Sequence, residues 1–155
     1  MILGIDPGVS GAIVAIQSGQ PIEWMRMPVM KDGKSSRVNG QALVRFIADL
    51  PEPVERAYVE AVHSMPSQGV ASSFNFGHSA GVIAGVLAAL EIPVVMVTPQ
   101  SWKKRAGLIG KGKDDARVMA IRMFPKWREL DKIGAGQAYA DAAFIAIYGG
   151  RGEQN

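Results

Sequence analysis

Three carboxylates occupy positions where carboxylates are costly. Asp6 ends the apolar run Ile2, Leu3, Ile5; Glu60 lies between Val59 and Ala61 in RAYVEAV; Asp141 precedes the apolar stretch Ala142, Ala143, Phe144, Ile145 and Ile147. A carboxylate in apolar company must meet a cation or a hydrogen-bond donor. Taken singly, each has a plain explanation. Asp6 could bond its own backbone in the Asp-Pro-Gly turn, and Glu60 could face solvent by strand alternation. Together they imply more, provided the strands carrying Asp6 and Glu60 are neighbours. Three converging carboxylates repel one another, and divalent cations relieve that repulsion. Oxygen-only ligands select magnesium or manganese over zinc. Two such ions roughly 4 Å apart can grip a phosphodiester, activate water and stabilise the leaving oxygen.

The elements that must position these acids follow from periodicity. Residues 1–16 predict two short strands joined by a turn at Asp6-Pro7-Gly8, and PIEWMRM (21–27) predicts a third, giving an antiparallel meander. Residues 31–39 are expected to be a polar loop. Asn39 is placed to cap a helix whose apolar face is Ala42, Leu43, Phe46, Ile47 and Leu50, ended by Pro51 and Pro53. Arg56 to Val62 predicts the fourth strand, Ser72 to Leu90 a long helix, and Pro93 to Val97 the fifth strand. In the long helix Gly77, Gly81 and Gly85 recur every four residues and bare one face for close packing. A short helix starting at PQSW, a Gly-rich basic loop, a helix from Asp114 to Met123 or Phe124, a linker KIGAGQ and a final helix carrying Asp141 in its first turn or two complete the chain. This order favours an α/β fold, a five-stranded mixed sheet with helices on both faces, in one domain over 1–150 with a frayed tail at 151–155.

Composition narrows the function classes. The chain has 155 residues and no cysteine, which excludes disulfides and thiolate metal sites. Residues 79–97 carry one charge over a length that could span a bilayer, but Pro93 and the change to β-branched residues divide them into a buried helix and a buried strand, so no membrane is expected. The N-terminus does not read as a secretion signal, and a cytoplasmic location is expected. The net charge is only +3, yet Trp102 to Arg128 holds nine basic residues against Asp114 and Asp115, with Glu129 just beyond. Such a local excess suits a polyanion. Within it Lys103, Lys104, Arg105, Lys111 and Lys113 are the candidate DNA-binding residues. Trp102 could stack on a base or anchor its helix in the core.

GIDPGVSGA, YVEAV, FNFGHSAGVIAGVLAAL, PQSWKK, GKGKDDAR and ADAAFIAIYG, in that order along nearly the whole chain, resemble the RuvC-type Holliday junction resolvases, particularly their short phage versions. The resemblance implies a ribonuclease H-like fold, a homodimer, and magnesium-dependent nicking of symmetric strands at a four-way DNA junction, with manganese able to substitute. It assigns Asp6, Glu60 and Asp141 as catalytic metal-binding acids around two ions, and puts Lys103 and Lys113 near the scissile phosphate. Where relatives place an aromatic wedge, this chain has His63 and Met65, with Phe74 and Phe76 close by.

One departure stands out. Many members carry an Asp or His three residues before the last Asp, where this chain has Ala138, and the adjacent Gln137 and Tyr139 are poor substitutes for a carboxylate. The expected site therefore has three acids, with a fourth ligand such as Asp131 or a loss of activity as alternatives. A junction-binding protein without cleavage, and a nuclease for forks or flaps, are the competing functions. The opening hairpin also resembles the phosphate loop of sugar-kinase and actin-like ATPases, but this chain offers no second lobe or second phosphate loop, so no nucleotide cofactor is expected.

Overall fold

The computed structural model describes residues 1–33, 35–61, 69–112 and 114–150. His63, Met65, Lys113 and the expected tail at 151–155 lie outside the described residues. The main sheet contains β1 (Ile2–Asp6), β2 (Ala12–Gln17), β3 (Gln20–Arg26), β6 (Arg56–Glu60) and β7 (Val94–Val97), in the order β3-β2-β1-β6-β7. The first three strands are the expected antiparallel meander, and β6 and β7 join parallel to β1. Ser18 and Gly19, both at positive φ, form the two-residue reversal between β2 and β3, a turn whose twist matches that of the strands.

Strand alternation sorts the core into two layers. Leu3, Ile5, Ile13 and Ala15 face the helices α1 (Gly40–Ala48) and α2 (Val70–Ala89), meeting Leu43, Ile47, Ile83 and Leu87. Ala12, Val14, Ile16 and Tyr58 face the opposite way, toward α3 (Pro99–Arg105), α4 (Asp115–Met123) and α5 (Ile133–Gly149). The fold is thus a five-stranded mixed sheet with helices on both faces. Asn39 caps α1 as expected, its Oδ1 accepting from the Ala42 N–H at 3.1 Å.

Two local expectations are corrected. Residues 31–39 are not a plain loop, because β4 (Val29–Asp32) and β5 (Ser35–Val38) pair antiparallel as a separate ribbon. Its polar composition hid it, and backbone pairing supplies what apolar alternation did not. KIGAGQ is not a linker either, since α5 already begins at Ile133. Glycine costs about 1 kcal/mol in a helix, but Gly136 lies so close against the Leu130 backbone that a Cβ would collide with it. Tertiary packing therefore overrides propensity, and Asp141 stands in the third turn of α5.

Helix α2 is long and apolar enough, by length and composition, to cross a membrane. Here one stripe of it, Ser79, Ile83 and Leu87, packs on the sheet layer. The faces bearing Gly77, Gly81 and Gly85 look into open space within this single chain.

Candidate active site

The parallel register builds the site. Ile5 of β1 is level with Val59 of β6, so the next step sets Asp6 beside Glu60 at the carboxyl ends of adjacent strands. Ile5 and Val59 turn into the layer under α1 and α2. By alternation Asp6 and Glu60 turn to the other face, over which α5 passes. Contact there is intimate: a Cβ at Gly4 would collide with the carbonyl of Ala142, the neighbour of Asp141. Glycine at position 4 is what lets the helix carrying the third acid lie directly on β1.

The three acids sense one another. Burial pushes the Asp6 carboxyl above its ordinary value, against a 3.5 Å hydrogen bond from the Gly8 N–H and the nearby charges of Arg26 and Lys103. The local Asx turn expected of Asp6 therefore coexists with its place in the acidic group. Burial likewise raises Glu60, and the Asp6 charge adds to the effect, whereas Trp102 and Lys103 oppose it. Asp141 is raised to about 6, first by burial and further by Asp6 and Glu60, while Gln137 and Lys103 pull it down. Lys103 is the cation common to all three.

Trp102, Gln137 and Arg26 support this group in ways that were not legible in the chain. The Trp102 indole is 1 % exposed and its Nε1 donates to Glu60 Oε1 at 2.8 Å, so it is a core anchor that also holds an acid. Lys103 Nζ lies 5.3 Å from the Trp102 ring centroid, within cation–π range. Gln137 Nε2 donates to Asp141 Oδ1 at 2.9 Å, one helical turn away. Arg26, at the end of β3, donates through Nε to the Gly11 carbonyl at 3.1 Å and through Nη2 to that of Ser10. Its pairing level with Ala12 is the register signal that brings it to the Asp6 turn.

Two clefts meet at this group. One, of about 590 Å³, is lined by Asp6, Ser10, Arg26, Asp114, Gln137 and Asp141, among others. The second, of about 380 Å³, is lined by Lys103, Gly110, Lys111, Ala116, Gln137 and Asp141, among others. Lys103 and Lys111 thus flank the acids, and Lys104 is exposed on α3. Arg105 has a different engagement, since its Nη1 donates to the Tyr148 and Gly149 carbonyls at 2.9 and 2.8 Å, completing the C-terminal end of α5.

Other candidates fall elsewhere. Asp131 pairs with Arg128 at 2.9 Å in the 3-10 turn Arg128–Asp131 and is occupied there. Ala138 is buried and lines the larger cleft without adding a polar group. Phe74 is 64 % exposed near the start of α2, whereas Phe76 is half-buried beside Val9, Ser35 and Ser36. Among the described residues, no group of three carboxylate or imidazole side chains is arranged to hold one metal ion by itself.

No protein-family model matches the sequence, and no curated protein matches it. The fold does match solved structures. A Thermus thermophilus RuvC in complex with Holliday junction substrate superposes with a TM-score of 0.62 at 14 % identity, over 95 % of this chain and 90 % of that one. A second Thermus thermophilus RuvC structure gives 0.54 at 18 % identity, over 95 % and 91 %. The chain has the RuvC-like, ribonuclease H-like α/β fold.

Proposed function

We propose that this chain is a structure-selective DNA endonuclease that nicks four-way junctions by divalent-cation-dependent phosphodiester hydrolysis. The observation that carries the reading is the register that sets Asp6 beside Glu60, under a helix bearing Asp141, with Lys103 common to all three. The solved RuvC of the same fold is described on a Holliday junction, which supports branched DNA as the substrate class.

The donor set fits a hard cation. Every candidate side-chain ligand is an oxygen, and the raised carboxyls are what three desolvated acids should show before a cation joins them. Asp6, Glu60 and Asp141 would hold magnesium or manganese, one ion or a pair, with water and phosphate oxygens completing the shell. A bound ion there would supply activation of water and stabilisation of the leaving oxygen.

The chain's own residues do the rest. Trp102 fixes one oxygen of the Glu60 carboxylate. Lys103 offers a charge to the phosphate next to the acids, and Lys111 lines the same cleft, with Lys104 exposed nearby. Arg105 contributes by fastening α3 to α5. Paired nicking needs two sites, and the open glycine face of α2 suits a second copy of the chain. Phe74, exposed at the same helix, is the described residue best placed to wedge a junction.

The test is cleavage of an end-labelled four-way junction with magnesium and with manganese, beside a gel shift of the same junction in chelator. Paired symmetric nicks establish the proposed activity. Tight binding without cuts would mean a junction-binding protein, and equal cutting of forks or flaps would mean a broader nuclease.

A further inference from the structure

Gln137 is held at one end only. Its Nε2 donates to Asp141 Oδ1 at 2.9 Å, while its Oε1 is buried with no hydrogen-bond partner among the described residues. The orientation follows from chemistry, because an ionised carboxylate accepts only, so the amide must present nitrogen to Asp141 and oxygen elsewhere. A buried amide oxygen without a donor costs about 1–3 kcal/mol, and its surroundings offer no remedy. Ser10 and Arg26 line the larger cleft with it, yet neither donates a hydrogen bond to it. Gln137 also lines both clefts that meet at Asp141, one of which Asp6 shares.

A hard divalent cation can take a neutral amide oxygen beside carboxylate oxygens. We propose that Gln137 is a positioning residue and neutral oxygen ligand of the acidic site, its Nε2 holding Asp141 while its Oε1 completes the coordination of the cation. This inference rests on the proposed cation-dependent function. It gives the oxygen a partner and adds no negative charge to an already crowded group. Positions 137 and 141 lie on one face of α5, a turn apart.

The test is manganese binding by the DNA-free protein, read by electron paramagnetic resonance and by the manganese-induced rise in thermal midpoint, in wild type, Gln137→Leu, Gln137→Glu and Asp141→Asn. Removing an oxygen that supports a metal ligand typically weakens metal binding roughly ten- to a hundredfold. Gln137→Leu should lose that much affinity and most of the manganese-induced thermal shift while unfolding cooperatively in chelator. Gln137→Glu keeps an oxygen ligand but loses the Nε2 donor to Asp141, so it should bind manganese more tightly than Gln137→Leu. Wild-type affinity in Gln137→Leu, or binding in Gln137→Glu no tighter than in Gln137→Leu, would overturn the assignment. If Asp141→Asn loses manganese binding but Gln137→Leu does not, only the role of Gln137 falls. If neither variant changes it, the cation site falls as well.

Discussion

Trp102 Nε1 and Glu60 Oε1 are joined by a 2.8 Å hydrogen bond across 42 residues of chain, linking the first turn of α3 to the end of β6. The buried indole therefore orients a carboxylate and stabilises its ionised form at once. Trp102→Phe keeps most of the apolar volume and removes the N–H. Because that hydrogen bond lowers the Glu60 carboxyl, its loss raises Glu60 further. Junction cleavage should fall at least tenfold, with the acid limb of its pH profile moved to higher pH and junction binding little changed. An unaltered pH profile would leave Trp102 a packing residue only.

Asp141 sets up an exchange between stability and function. Its carboxyl is raised from 3.8 to about 6 in the folded chain, so between those values the native state binds more protons than the unfolded one and stability falls as pH rises. Below the lower value both states are protonated and the penalty vanishes; above the higher one it is complete. Asp141→Asn removes it. In chelator the variant should be more stable than wild type near neutral pH, by an amount on the order of 2 kcal/mol, with the difference closing below about pH 4. Cleavage should be lost. Denaturant unfolding at several pH values checks the sign.

Lys103 and Arg105 are two residues apart on α3 but should respond oppositely to substitution. Lys103→Ala should weaken junction binding and reduce the slope of log affinity against log salt by about one unit. Arg105→Ala instead removes the donor to the Tyr148 and Gly149 carbonyls, so it should lower the thermal midpoint while leaving the salt slope close to wild type. Identical salt slopes in wild type and Lys103→Ala would assign that lysine to a solvated face.

The glycine face of α2 discriminates between one copy and two. A Cβ at Gly81 meets nothing within the chain, so Gly81→Ala should stabilise an isolated protomer by about 1 kcal/mol through helix propensity. In a dimer packed closely on that face the same methyl group should weaken association. Sedimentation of wild type and variant at micromolar concentration separates the two cases, and a wild type that stays monomeric would remove paired nicking.

Local pattern was enough for much of this protein. The meander, the fourth and fifth strands, the five main helices in order, and the anomaly of Asp6, Glu60 and Asp141 all followed from periodicity, turn residues and the cost of a carboxylate in apolar company. Short-range pattern failed where backbone pairing or packing outweighed propensity. The β4–β5 ribbon is polar, and the first turn of α5 contains Gly134 and Gly136 yet is helical.

What tertiary structure alone decided is which distant groups meet. That Ile5 is level with Val59, and hence Asp6 with Glu60, depends on the strand order rather than on either strand. Trp102 carried an ambiguous signal because an indole suits both a core and a base stack, and only the docking of α3 chose the core and aimed Nε1 at Glu60. Gln137 carried none, since an amide in a glycine-rich stretch gains meaning only when the stretch becomes helix and brings it to Asp141. The sequence by itself determined the chemical types of the site through local energetics. Their convergence came from long-range packing, whose physical basis is the burial of two apolar layers against one sheet.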